Sequence, residues 1–211
     1  MAIALVMLYH GWTYTGHGAV GLGIDQARLP PGQYVTTKWP VLHAGSIPPP
    51  PDFSRWTFTV FGEVENPIEL SFDELRALRS TELVCDIHCV TRWSRFDMPW
   101  KGVSFRDLVA LVRPTPAAQH VISHAEAGYT ANVPLSVMDD DDVLIAYEAD
   151  GAPLTPEHGY PLRLLVPKRY FWKSSKWLRG LEFSSVDKPG FWEGYGYSNN
   201  AEPFAEERYE F

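Results

Sequence analysis

The residues best equipped for chemistry lie between Glu82 and Arg95, in the stretch ELVCDIHCVTRWSR. It places Cys85, Asp86, His88 and Cys89 within five positions, and these are the only two cysteines of the chain. A structural zinc site needs four closed ligands at characteristic spacings, which one Cys-x-x-x-Cys pair does not supply. A redox dithiol more often shows Cys-x-x-Cys. A single thiolate remains, flanked by His88, Arg92 and Arg95. Positive neighbours lower a thiol's pKa and make it a better nucleophile or metal ligand. Cysteine in a strand is also, more ordinarily, a small buried hydrophobe. On residue types alone both readings stand.

A second concentration lies further on. The stretch from Glu157 to Arg163 sets His158 and Arg163 five apart across a Gly/Pro turn. From Tyr170 to Trp177, aromatics, hydroxyls and lysines interleave as YFWKSSKW. Such a basic-aromatic run suits single-stranded nucleic acid, but the chain is acidic and has no other such patch. The aspartates from Asp139 to Asp142 lack the glycine turn and distal glutamate of a calcium loop, and read as a solvated helix start. His10 and His17 sit in a glycine-rich stretch and read as solvated.

The elements that position these groups follow from local pattern. Leu83, Val84, Ile87 and Val90 favour a buried strand, with Thr91, Ser94 and the arginines leaving it as a polar loop. Tyr34–Val41 reads as extended, and Trp56 to Val64 alternates as a half-buried strand. Ser71 with Glu74 forms a capping box opening a short helix that ends near Arg79. Ser104 opens another, with Leu108 and Leu111 inward and Pro114 and Pro116 beyond it. His120–Ser123 and Leu162–Val166 read as strands, with a loop from His124 to Tyr129. These strands and short helices predict an α+β fold.

Composition sets the outer bounds. The chain has 211 residues, 45% hydrophobic and 21% charged, with a net charge of −8. That suits one sizeable globular domain and argues against nucleic acid or an anionic membrane as a general partner. Two cysteines fit a reducing, cytoplasmic setting. Eight tryptophans and eighteen prolines point to a loop-rich fold with aromatic pocket walls. Ala2–Leu8 is apolar but too short to span a bilayer, and no Lys or Arg precedes Arg28 to make a secretory n-region. The sequence therefore predicts a flexible extension over 1–28 and one domain over 29–211.

DIHCVTRWSRFDMPWKGV (86–103) resembles the molybdenum-binding segment of the sulfite-oxidase-like molybdopterin oxidoreductases. AYEADGAPLTPEHGYPLRLLVPKRYFWKSSKWLRGLEF (146–183) resembles that family's pterin-binding segment, and PGFWEGYGY (189–197) its C-terminal ending. The likeness runs in order from about Pro30 onward. It implies a sulfite-oxidase-like molybdopterin-binding fold of mixed β-sheets with short helices, a molybdenum–molybdopterin cofactor and Cys89 as metal ligand. It also implies Tyr129 as an active-site tyrosine. Thr37, Lys38, His158, Arg163, Ser174, Ser175 and Lys176 become the cofactor-binding set, with Arg163 and Lys176 on the phosphate.

One departure bears on the substrate. Thr36, Thr37 and Lys38 stand where true sulfite oxidases have Arg-Asn-His, and neutral Thr36 cannot hold an anion by charge. The expectation is therefore oxygen-atom transfer that favours S-oxide or N-oxide reduction over sulfite oxidation. No haem, flavin or cysteine-cluster pattern occurs, so a separate electron-transfer partner, a cytochrome or flavoprotein, is expected. A non-catalytic cofactor-binding module and a thiol-redox protein using Cys85 and Cys89 are the alternatives from other classes.

Overall fold

The computed structural model describes residues 25–210. Its longest element is β5 (Trp93–Ser104), a twelve-residue strand that organises the first sheet. β4 (Ser80–His88) runs antiparallel along one edge of β5, from Ser80 opposite Val103 to His88 opposite Ser94. Its other edge is shared by β1 (Tyr34–Val35), which pairs in parallel at Trp93–Ser94, and β8 (Leu144–Ala149), antiparallel at Trp100–Ser104. β9 (Ala152–Pro153) and β10 (Arg163–Leu165) then pair with β8. The second sheet has five strands in the order β3 (Ile68–Leu70), β2 (Phe58–Gly62), β11 (Leu178–Ser184), β6 (His120–Ala125), β7 (Thr130–Pro134).

Three short α-helices join the strands: α1 (Phe72–Ala77), α2 (Phe105–Val112) and α3 (Leu135–Met138). Mixed sheets with few short helices make this an α+β fold. The larger core packs Phe58, Val60, Leu181 and Phe183 of the second sheet against Val103, Phe105, Leu108 and Ile145. A separate core of Ile87, Trp93, Met98, Trp100, Leu165 and Phe171 encloses Cys89. Removing apolar surface from water is the main driving term, at roughly 25 cal/mol per Å².

Several elements differ from the pattern reading, while the capping box agrees with it. Thr91 and Arg92 form a polar turn, but from Trp93 on the chain is strand rather than loop, because β5 finds pairing partners on both edges. Strand pairing over Tyr34–Val41 is confined to two residues. Leu111 points outward at 44% exposure while Leu108 is fully buried. The aspartate run follows the end of α3, where Asp139 is the C-cap, and its carboxylates pair with Arg106 and Lys168. The capping box forms, with Ser71 Oγ accepting from Glu74 N and Glu74 accepting from Ser71 N.

Of the stretch 1–28, residues 25–28 are described. Gln26–Arg28 form a helical turn whose Arg28 donates to Asp86 at 2.8 and 2.6 Å and to Asp97 at 2.6 Å. Those aspartates mark a β-bulge, where the register shifts between Cys85 and Ile87 and Asp97 takes a φ of 52°. The bulge re-aims the end of β4. His10, His17 and the apolar run Ala2–Leu8 lie outside the described residues.

Candidate active site

Cys89 is the first residue past β4, in the turn that reverses the chain into β5. The turn closes through Cys89 N to Trp93 O and Arg92 N to Cys89 O, both 2.9 Å. Arg92 sits in the left-handed region with φ 76°. Gln33 Nε2 donates to Cys89 O at 2.9 Å. The sulfur is buried, 3.2 Å from Thr91 Oγ1. Burial pushes the thiol up, while Thr91, Arg163 and Arg208 pull it down. Burial pushes the Cys85 thiol up, with Asp142 and Asp86 adding and a hydrogen bond to Trp100 opposing, so it stays protonated.

The second concentration folds onto the first. β10 carries Arg163 into the interior, where its guanidinium lies 3.8 Å from the Phe171 ring centroid. Arg163 Nη1 donates to His158 O at 3.0 Å, and its buried Nε has no partner. Arg163 forms no ion pair with a carboxylate among the described residues, and burial lowers its pKa to about 9. Lys176 Nζ donates to Leu42 O and Glu157 O, both 2.8 Å; burial, with Arg163 adding, brings it to about 7. Two partly desolvated cations, neither ion-paired with a carboxylate among the described residues, make a site that favours an anion. Gly159, with φ 111°, lets the 156–159 turn approach Lys176, since a Cβ there would lie 3.1 Å from Lys176 Cα.

His158 stacks on Trp39 with centroids 3.8 Å apart. Its Nε2 lies 3.3 Å from Trp39 O and its Nδ1 2.9 Å from Thr155 Oγ1. Burial lowers the imidazole pKa, and Arg163 and Lys176 reinforce that. The neutral ring therefore donates from Nε2 to the carbonyl and accepts at Nδ1 from the hydroxyl. Trp39 also meets Trp100 edge-on at 5.4 Å, so planar aromatic walls flank the two cations.

The remaining candidates distribute unevenly. Tyr129 donates to Trp172 O at 2.7 Å, and burial raises its pKa, with Glu193 adding and Arg163 opposing. Its donor is thus committed to the backbone. Ser174 and Ser175 are buried with their hydroxyls engaged internally, Ser174 Oγ accepting from Val166 N at 3.0 Å and Ser175 Oγ 2.6 Å from Ser123 Oγ. Thr37 and Lys38 are exposed, and Thr36 is half-buried, its hydroxyl accepting from Lys38 N at 3.0 Å. Cys89, His158, Arg163 and Lys176 are brought together; Thr37, Lys38 and the serine hydroxyls are not.

Three residues that the sequence reading did not single out join the cluster. Trp39 supplies the stacked wall. Tyr197 is buried, its pKa pushed up to about 12 by burial, with Tyr209 and Cys89 contributing. Arg208 acts electrostatically on Cys89 from the far end of the chain. The motif ending in Tyr197 is marked in the sequence; the electrostatic influence of Cys89 on it is not. Beside this cluster, Lys173 is fully buried, with Nζ 2.5 Å from Glu193 Oε1 and 2.9 Å from both oxygens of Asn132.

A molybdenum–dithiolene group with a phosphate tail asks for a soft thiolate, planar walls and cations lacking their own anions. The unpartnered Nε of Arg163 and the buried Cys89 sulfur meet that demand. Groups of three or more His, Cys, Asp or Glu able to hold a bare ion do not occur among the described residues. Nor is any described helix long and apolar enough to cross a membrane.

Comparison with known proteins agrees. A family model for the oxidoreductase molybdopterin binding domain matches residues 44–192. The chain is 46% identical over 186 residues to the uncharacterized oxidoreductase YuiH of Bacillus subtilis (strain 168), covering 88% of this chain and 94% of that protein. It is 29% identical to the protein-methionine-sulfoxide reductase catalytic subunit MsrP of Campylobacter jejuni, over 68% of this chain and 54% of that protein. The MsrP subunit of Xanthomonas axonopodis pv. citri is 30% identical over 71% of this chain and 53% of that protein. The chain thus spans about half the length of both MsrP subunits. Among solved structures, the sulfane dehydrogenase SoxCD of Paracoccus pantotrophus superposes with a TM-score of 0.58 at 21% identity. That match covers 84% of this chain and 57% of the SoxCD chain, a likeness of fold.

Proposed function

This oxidoreductase belongs to the molybdopterin binding domain family, and from that premise we propose that it reduces uncharged S-oxides or N-oxides on a molybdenum–molybdopterin centre. Methionine sulfoxide is the first substrate to assay, since two relatives carry that activity in their names. The observation that supports the reading best is Arg163, a buried guanidinium without a carboxylate, beside the buried Cys89.

The bound group supplies two-electron chemistry coupled to movement of an oxygen atom. The chain's residues do the rest. Cys89 offers the thiolate, with Thr91 Oγ1 at 3.2 Å to hydrogen-bond its sulfur. Arg163, packed over Phe171, and Lys176 would hold the phosphate tail, and the Trp39 ring stacked on His158 would offer a planar wall. The Tyr197 hydroxyl keeps its proton throughout the neutral range and is a neutral donor on the Cys89 side. Overall, an S-oxide takes up two electrons and two protons and leaves a thioether and water. The electrons come from a separate donor protein.

Thr36, neutral where sulfite oxidases have arginine, supports an uncharged substrate. Arg95 is spent on Asp150 through bonds of 2.7 and 2.8 Å, and Arg92 and Lys38 are exposed. Sulfite oxidation is the second reading, favoured by the joint action of Arg163 and Arg208 on Cys89. Steady-state assays with an artificial electron donor and acceptor decide between them. Saturable turnover of methionine sulfoxide with weak or absent sulfite oxidation is expected. Efficient sulfite oxidation at low sulfite concentration would overturn the substrate assignment.

A further inference from the structure

The C-terminal segment turns back on itself and delivers one cation to the Cys89 turn. Tyr197 and Tyr209 form an antiparallel bridge, Ser198 N donates to Arg208 O, and Glu210 N donates to Gly196 O, both at 3.1 Å. Arg208 is thereby buried, its guanidinium 4.9 Å from the Tyr170 ring centroid. Nη1 donates to Val90 O at 2.9 Å and Nη2 to Pro31 O at 3.1 Å. The Glu206 carboxylate lies 3.8 Å away. One side chain therefore fastens the residue after Cys89 to the segment preceding β1.

We propose that Arg208 is a positioning residue for the Cys89 turn, stapling it to the N-terminal segment and setting a fixed positive charge beside the sulfur. A turn closed by two backbone bonds is a natural site of local opening. The Val90 and Cys89 carbonyls are anchored from outside by Arg208 and Gln33, which fixes where the sulfur points. Fixed charge close to a metal ligand raises the potential of the metal by favouring its reduced, more electron-rich state. Arg208 shares that electrostatic role with Arg163. The charge half of the inference rests on Cys89 being a metal ligand; the stapling half does not.

The test compares wild type with Arg208→Gln and Arg208→Lys in the full chain. Hydrogen exchange is followed first in cofactor-free protein at the amides of Cys89, Arg92 and Tyr34, whose acceptors are Trp93, Cys89 and Arg92. Losing a hydrogen bond from a charged donor predicts exchange about 10- to 150-fold faster at these amides in Arg208→Gln, with β11 unchanged. Unchanged exchange at the turn, or equal acceleration in β11, overturns the stapling role. In molybdenum-loaded protein, a redox titration followed by electron paramagnetic resonance should show a lower midpoint potential in Arg208→Gln, recovered in Arg208→Lys. A potential equal to wild type in Arg208→Gln overturns the charge role. Failure of wild type to take up molybdenum would refute the proposed function instead, and the exchange data would still decide the positioning.

Discussion

Replacing Arg163 with methionine should weaken cofactor binding and yet leave the cofactor-free protein no less stable. Burial brings its pKa from the ordinary guanidinium range down to about 9. At about 1.4 kcal/mol per pH unit, keeping this guanidinium charged in the folded state costs roughly 5 kcal/mol. The folded pKa lies below the unfolded one, so that cost is fully present below about pH 9 and fades as pH rises towards the ordinary guanidinium value. Two contacts offset it: the bond to His158 O, worth about 1.5–3 kcal/mol, and the Phe171 ring at 3.8 Å, worth up to about 2 kcal/mol. Methionine removes cost and contacts together, for a net gain of about 0 to 3 kcal/mol. For a domain of this size each kcal/mol moves Tm by about 2–4 °C, so the cofactor-free variant should melt between unchanged and roughly 10 °C higher. Losing one charge-assisted bond to the cofactor predicts about 10- to 150-fold weaker binding. Calorimetry of cofactor-free protein, with molybdenum and fluorescent pterin assayed per chain after expression, measures both. A lower Tm together with full cofactor occupancy would refute the argument.

Two more expectations come from charge and burial. Lys176, at about 7 without cofactor, must rise when an anion docks beside it, so loading should take up a proton. Affinity should then be full below pH 7 and decline as pH rises through the bound-state value; calorimetric titration in buffers of different ionisation enthalpy would detect that proton. Cys85→Ala should cost about 1 kcal/mol of stability and leave molybdenum content unchanged, as judged by denaturant unfolding and metal analysis. A loss of metal there would make both cysteines ligands.

The parts of the structure legible in sequence are those governed by near neighbours. The Ser71 capping box and the buried strand at Arg163–Leu165 follow from residues within one turn or one strand. Strand β5 is not legible, because Ser94, Arg95 and Asp97 look like loop until neighbouring strands pair along both edges. The site divides the same way. Cys89, His158, Arg163 and Lys176 lie in motifs specific enough to mark. Trp39 and Arg208 reach the site only through tertiary folding, since a stack on His158 and a bond to Val90 O leave no local pattern. Ser174 and Ser175 sit within a marked motif, yet their hydroxyls tie β10 and β6 to the turn that carries them.

The central claim, that Cys89 holds molybdenum, is tested most directly by X-ray absorption at the molybdenum edge. Wild type and Cys89→Ser would be compared at matched metal content. The account predicts that the sulfur coordination number drops by one in Cys89→Ser while the dithiolene contribution stays. An identical sulfur count in the two proteins would contradict it.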